Sequence, residues 1–264
     1  MLVLLNNLYV LFIGTIAIAL LGYKGRALSK SGSIATIVVG VFIAIGFGWK
    51  GLLIIGIFFV TSSVWSKWKK DKDETSKVVE KGSQRDWIQV FANGGIPAVV
   101  SILYSVSEAS LFWIAFVTAI AVSTSDTWAS EIGPLSNKRP LSIFSLKRVE
   151  RGTSGAISLL GTTAALLGSI VISLSSVVLW DGSIYLFLMI SLFGFIGCFL
   201  DTILGATVQV KYRCSKCGKS TEHRIHCNEV TIHASGSTFV NNDVVNITSI
   251  LFTSIFACIF YAFV

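Results

Sequence analysis

The sequence predicts an all-α fold: a polytopic integral membrane helical bundle of about eight transmembrane helices, with both termini outside and one domain over residues 1–264. Three observations predict it. The 264 residues are 53% hydrophobic and 13% charged, with a mean hydropathy of +0.75, more apolar surface than a soluble domain of this size can hide. Several apolar runs reach the roughly 20 helical residues that cross hydrocarbon. The basic residues fall in alternate loops.

The spans are expected at about 2–21, 32–48, 50–65, 87–106, 110–128, 155–180, 183–208 and 243–264. Leu2–Leu21 has no basic residue before it and a poor cleavage region at Gly14–Gly22, so it reads as a membrane helix rather than a signal peptide. The second and third spans are short and joined tightly at Lys50. Three basic residues follow span one (Lys24, Arg26, Lys30), and seven follow span three (Lys67, Lys69, Lys70, Lys72, Lys77, Lys81, Arg85). Five follow span five (Lys138, Arg139, Lys147, Arg148, Arg151) and five follow span seven (Lys211, Arg213, Lys216, Lys219, Arg224), which leaves only Lys50. Positive residues mark the cytoplasmic side. The loops at about 66–86, 129–154 and 209–242 are therefore cytoplasmic, in a multi-pass protein of the cell membrane. The net charge of +7 is topogenic and implies no nucleic-acid partner. Trp65–Arg85 reads as a solvated mixed-charge linker near anionic headgroups.

Four places depart from this apolar pattern, all toward the cytoplasmic face. FANGGIP puts Asn93 about two turns into span four, before Gly94, Gly95 and Pro97. This segment can kink or break toward a polar cavity, or serve only as a packing kink. SDTWASEIG ends span five in two acids, Asp126 and Glu131, with Ser123, Asp126 and Ser130 on one helix side. KRVERGTSG brings Arg148 and Arg151 up to a Gly-Thr-Ser-Gly that opens span six. That is either an anion-binding helix N-terminus or an ordinary N-cap at Thr153 or Ser154. In GCFLDTILGA, Asp201 lies between Gly197 and Gly205 at i−4 and i+4, so the acid points into a close helix contact. An intramembrane carboxylate is a functional candidate by default. Two carboxylates, two arginines and a helix N-terminus are the parts that bind a magnesium–nucleotide.

The last inner loop reads CSKCGKSTEHRIHC. Cys214, Cys217 and Cys227, with His226 or His223, have the residue types of a structural Zn²⁺ site. A cytoplasmic disulfide is disfavoured, and free thiols are the other alternative. Cys198 and Cys258 lie in spans and read as packing residues.

Taken in order from about Ser29 to Asn246, six segments resemble a family of multispanning membrane proteins long carried as a domain of unknown function. They are QVFANGG, SDTWASEIG, KRVERGTSGAISLLGT, GFIGCFLDTILGATVQ, the C-x2-C…HC loop and NNDVVN. The family includes the plant chloroplast phytyl-phosphate kinases, with bacterial, archaeal and animal relatives. The resemblance implies phosphoryl transfer from a nucleoside triphosphate, CTP above others, to an isoprenoid monophosphate, giving the diphosphate. Two departures are Ala156, where a second glycine often follows the GTSG turn, and an N-terminus without a plastid transit segment.

The combined reading is an isoprenoid-phosphate kinase working from the cytoplasmic side. Asp126 and Asp201 would hold Mg²⁺, with Glu131 as a third ligand or support. Arg148, Arg151 and the backbone of Gly152, Thr153 and Ser154 would hold phosphates. Asn93, Asn242, Asp243 and Asn246 would line the cavity, Asn242 and Asp243 serving equally well as the N-cap of span eight. The lipid tail would lie between spans. The rival reading is a transporter or scramblase for a small anion or lipid phosphate, which also suits an intramembrane acid and a broken helix. A non-enzymatic scaffold explains none of the buried acids.

Overall fold

The computed structural model describes residues 2–72 and 84–264. The middle of the mixed-charge linker, 73–83, lies outside the described residues. The described residues form seven helices: α1 Leu2–Lys24, α2 Lys30–Lys72, α3 Trp87–Ser107, α4 Ser110–Ile132, α5 Leu159–Leu179, α6 Ile184–Thr207 and α7 Asn242–Phe263. Six of them, α2 to α7, are long and apolar enough to cross a membrane. The expected multispanning helical bundle is what forms.

The second and third expected spans share α2, which breaks at Gly48 (φ 59°, ψ −146°). Only glycine adopts such a backbone without strain. Beyond the break the chain doubles back. A Cβ on Gly51 would sit 2.8 Å from the Ile43 side chain and 2.6 Å from that of Phe47, whereas eight residues of straight helix would separate Gly51 from Ile43 by about 12 Å.

The centre of the bundle is α4. Its apolar window is 72% buried, against 33–39% for the other five candidate spans. Residues Trp113 to Ser125 are all buried, on every side of the helix, as expected where a helix is wrapped by others rather than facing solvent or lipid. Small residues let the neighbours approach. Gly46 faces the backbone of Ser101, where any Cβ would collide with the carbonyl oxygen, and Gly168 faces the Thr124 carbonyl. Serines fasten the crossings: Ser125 Oγ donates to Ala165 O (2.8 Å) and Ser173 Oγ to Phe187 O (2.7 Å).

The two ends of the bundle differ. One is an aromatic plug. Phe47 stacks on Tyr104 (4.3 Å) and Phe116 (4.2 Å), Trp180 meets Phe47 and Trp113, and Lys50 lies over Trp180. The other end carries the long connections. The turn after α1 is pinned to the start of α3, where Ser29 N donates to Arg85 O (3.0 Å) and Arg85 N to Ala27 O (2.9 Å). Between α4 and α5 lie a 3₁₀ turn (Gly133–Leu135) and a hairpin of β1 (Leu141–Ser142) with β2 (Ala156–Ile157). Between α6 and α7 a small cap pairs β3 (Lys211–Arg213) with β4 (Ser220–Thr221) and β7 (Ile232–Ser235). Beside them is the hairpin of β5 (Ile225–His226) and β6 (Glu229–Val230).

Two expected helix boundaries are corrected. α5 begins at Leu159 with Ser158 as N-cap, its hydroxyl accepting from Gly161 N (3.1 Å), so neither Thr153 nor Ser154 caps it. Gly152 and Gly155 both have φ +82° and the next two residues pair with β1, which delays the helix. α7 is capped by Asn241, whose side chain accepts from Val244 N, and not by Asn242 or Asp243. α3 runs unbroken through FANGGIP.

The Gly46 contact yields a test. Gly46→Leu forces α2 off the Ser101 carbonyl and should lower stability by about 1–3 kcal/mol, the usual cost of overpacking. Gly14→Leu, at a position with open space around it, should be neutral or slightly stabilising. Thermal melts of the detergent-purified variants decide.

Candidate active site

The site begins with a missing backbone donor. Pro97 has no N–H, so the carbonyl four residues earlier, Asn93 O, loses its helical partner. Ser123 Oγ of α4 reaches that carbonyl at 3.2 Å, which ties α3 to α4 one turn before Asp126. The predicted signal in FANGGIP is real. Its consequence is a helix-to-helix bond, not a break. The Asn93 amide itself donates to Gln89 O (3.1 Å).

Asp126 leaves the buried stretch of α4 partly exposed, whereas Asp201 of α6 is buried. The two carboxylates lie close enough to act on each other's charge. Asp201 is held from α7: Ser249 Oγ donates to its Oδ2 at 2.9 Å. With the Asn246 amide oriented to satisfy both its ends, its nitrogen donates to the same Oδ2 (3.0 Å) and to Asn242 O (3.1 Å). Asp243 is buried on the same first turn of α7. Of the residues expected to line one cavity, Asn246 bonds Asp201 directly and Asp126 acts on its charge. Asn242 is exposed and meets Asn246 only through its backbone carbonyl, and Asn93 is tied to α4 through its own carbonyl and Ser123.

Glu131 is turned elsewhere. Its oxygens accept from Ser66 Oγ (2.6 Å) and pair with Lys69 Nζ (3.2 Å), both on α2. It still repels Asp126 electrostatically, but it is a strut between α2 and α4.

The GTSG turn reaches the site without a helix N-terminus. Ser154 Oγ lies 2.9 Å from Gly205 O, one turn beyond Asp201, and 3.1 Å from the side chain of the buried Gln209. Gly155 packs on Ala206, where any Cβ would collide. Thr153 turns back to Glu150 O, and Gly152 is open. Arg148 and Arg151 are exposed on the loop and reach only its own carbonyls, Arg139 O (3.4 Å) and Asn137 O (3.2 Å). They flank the site rather than line it.

The cap adds two groups that sequence reading missed. Lys211 Nζ donates to Ala206 O (3.1 Å) and Ser154 O (3.4 Å). Burial lowers its pKa, and the charge of Glu222 pushes back. The charge of Glu222 acts on Asp201 as well. Lys211 had read as one more topogenic base, and nothing local marks Glu222.

Between α1, α2 and α3 lies a groove of about 80 Å³. Its walls include Ile18, Val39, Leu52 and Phe58, and its polar lining includes Thr15, Thr36, Arg85, Gln89 and Asn93. Arg85 sits over the Phe58 and Phe59 rings.

In the cap, Cys214, Cys217, His226 and Cys227 bring their ligand atoms within 4.8 Å of one another. His223 is outside the group. The backbone N–H of Cys217 holds the Cys214 thiol down at about 6, aided by His226, while burial raises that of Cys227.

Removing the donors to Asp201 should be costly. Asn246→Leu and Ser249→Ala should each lower stability by about 1–3 kcal/mol, the cost of an under-bonded buried acceptor. In an Asp201→Asn background both losses should shrink, because a neutral amide oxygen demands less. A double-mutant cycle from thermal melts measures the coupling.

Comparison with known proteins agrees with this picture. A family model described as "Integral membrane protein DUF92" matches residues 13–254, from α1 to α7. "Protein PGR" of Arabidopsis thaliana is 32% identical over 264 residues, covering 90% of either chain. "Protein VTE6, chloroplastic" of the same plant is 30% identical over 266 residues, covering 98% of this chain and 71% of that one. An uncharacterized membrane protein of Methanocaldococcus jannaschii is 33% identical over 207 residues, covering 78% of this chain and 85% of its own. No solved structure matches. The resemblance read from the ordered motifs is borne out at the level of the family.

Proposed function

The chain belongs to the DUF92 family of integral membrane proteins, and on that premise we propose that it is a membrane-embedded isoprenoid-phosphate kinase. It transfers a phosphoryl group from a nucleoside triphosphate, CTP in the first instance, to an isoprenyl or polyprenyl monophosphate. The observation that carries this reading is the approach of Asp126 and Asp201 on neighbouring helices, at the end of the bundle where the long loops gather.

The donors fit a magnesium–nucleotide, since hard carboxylate oxygens are what Mg²⁺ prefers. Bound by Asp126 and Asp201, the ion would neutralise phosphate charge. The chain's own groups do the rest. Ser249 and Asn246 orient Asp201. Lys211 and the loop arginines Arg148 and Arg151 supply positive charge for phosphates at the mouth, with Gly152, Thr153 and Ser154 as backbone and hydroxyl donors. Glu131 fixes the end of α4 through α2. An oxygen of the acceptor phosphate bonds to the γ-phosphorus as the bond to the β,γ-bridging oxygen breaks, and that oxygen leaves with the electron pair on the nucleoside diphosphate. The acceptor is already ionised, so positioning and charge neutralisation supply the rate and no strong base is needed. The isoprenoid tail lies in the α1–α2–α3 groove, its phosphate toward Arg85, Gln89 and Asn93.

Counting the two arms of α2 separately gives eight crossings, with both termini outside and the acid site on the cytoplasmic face of the cell membrane. The transporter or scramblase reading is weakened by the aromatic plug of Phe47, Tyr104, Phe116 and Trp180 opposite the acids.

Purified protein with radiolabelled CTP or ATP and a panel of prenyl monophosphates should yield the labelled diphosphate. Asp126→Asn and Asp201→Asn should each reduce transfer by roughly 10²-fold or more, the scale of losing one preorganised electrostatic group. Wild-type protein that forms no product but moves lipid phosphate between leaflets would replace the kinase with the transporter. Topology has its own check. An epitope after Val264 should bind antibody on intact cells, and one inserted after Gly218 should bind only after permeabilisation. The opposite pattern overturns the orientation.

A further inference from the structure

The cap between α6 and α7 brings two pieces together. One is the turn after β3, where Gly218 N donates to Cys214 O and Cys214 N to Lys219 O, both at 3.0 Å. This presents Cys214 and Cys217 on one side. The other is the β5–β6 hairpin, in which His226 pairs with Glu229 across a two-residue loop, Cys227–Asn228. Both loop residues have positive φ (55° and 62°), the geometry of a type I′ turn that normally selects Asn or Gly. A cysteine there is out of place on conformational grounds. It does aim Cys227 at the other piece.

The side chains meet in a small space. His226 Nδ1 lies 3.5 Å from Cys217 Sγ and 3.2 Å from Cys227 Sγ, and all four donor atoms fall within 4.8 Å of one another. A tetrahedral zinc ion with bonds of about 2.0–2.1 Å to nitrogen and 2.3 Å to sulfur sets its ligands roughly 3.5–3.8 Å apart. The cluster is close to that size before any ion is placed. Three thiols and one imidazole are a soft donor set, which suits zinc over magnesium or calcium. It is also a closed set of four, as in structural rather than catalytic sites.

We propose that Cys214, Cys217, Cys227 and Nδ1 of His226 bind one structural zinc ion that clamps the turn to the hairpin. His223, the alternative ligand by sequence, donates its backbone N–H to Thr221 Oγ1 (3.2 Å) and accepts from Thr231 Oγ1 (2.7 Å) at its carbonyl. It belongs to the wall of the cap. The clamp closes over the segment that carries Glu222, the residue whose charge reaches Asp201 and Lys211. Zinc therefore sets the position of the cap while standing apart from the chemistry. The site does not depend on the kinase assignment.

Full-length protein purified in detergent without chelators should carry about one zinc per chain by elemental analysis. Its zinc-edge absorption spectrum should fit three sulfur ligands and one nitrogen. Cys217→Ser and His226→Ala should each lose at least about nine-tenths of the metal, while His223→Ala and Cys258→Ser keep it. Chelation of the wild type should expose 208–241 to protease and leave the helices intact. Metal-free wild-type protein, a Cys214–Cys217 disulfide in its mass spectrum, or an oxygen-rich zinc shell would each overturn the site, even if the variants fail to fold. Zinc lost in His223→Ala but kept in His226→Ala would overturn the ligand set. Unchanged proteolysis after the metal is stripped would overturn the clamp.

Discussion

A helix enclosed by other helices on every side cannot hide a polar group against lipid or water, and α4 is that helix. From Trp113 to Ser125 each side chain meets protein. Most of its hydroxyls bond either to their own backbone, as Thr124 does with Ile120 O, or across to a neighbour, as Ser125 does with Ala165 O, in line with what the bilayer demands. Thr118 Oγ1 and Trp113 Nε1 are buried without a partner among the described residues. α4 emerges at its first residues, Ser110 to Phe112, and again in its last two turns, and the latter carry Asp126 and Glu131. The position of the acids follows from the enclosure: buried at the middle of α4, they would have no water and too few donors.

Asp201 shows the alternative solution. It is buried, so its carboxylate needs donors from the protein, and α7 provides two within one turn, Asn246 and Ser249. The glycines on either side of Asp201 work to the same end. Gly197 lets Val122 of α4 approach, and Gly205 admits Ser154. A buried charge held this firmly is weak evidence for stability. It is better explained by a task at the site.

Much of this was legible in the sequence because the signals were local. Span lengths, the i−4/i+4 glycines around Asp201, the acids ending α4 and the cysteine spacing depend on neighbours within a few turns. What was missed depends on distant partners. Glu131 looked like a site ligand, but Ser66 and Lys69, some sixty residues earlier, occupy its oxygens. GTSG looked like a helix start, but β2 is drawn into a hairpin by β1, and the helix waits for Ser158. Lys211 reaches the end of α6 and Glu222 acts on Asp201 only because the cap folds back, and no periodicity records that. Conversely, Pro97 suggested either a kink or break toward a polar cavity or a packing kink in α3. The enclosed Ser123 instead took up the freed carbonyl, so a locally disruptive residue became a tie between helices.

The asymmetry of the two ends then bears on what kind of substrate the fold can serve. Aromatic rings fill one end, and the polar groups gather at the other beneath short strands and loops. A lipid phosphate cannot bring its headgroup deep into hydrocarbon, and a nucleotide cannot follow a tail between helices. The place where both can meet is the interface, near helix ends, with apolar walls on one side and charged loops on the other. On the proposed kinase reading, the α1–α2–α3 groove and the acid pair would satisfy this requirement jointly, because the Asn93–Ser123 bond joins the polar lining of the groove to the helix that carries Asp126. A site deep within the bundle would admit the tail alone, and one on the cap would admit the nucleotide alone. The ends of α4 and α6 are where the two requirements intersect.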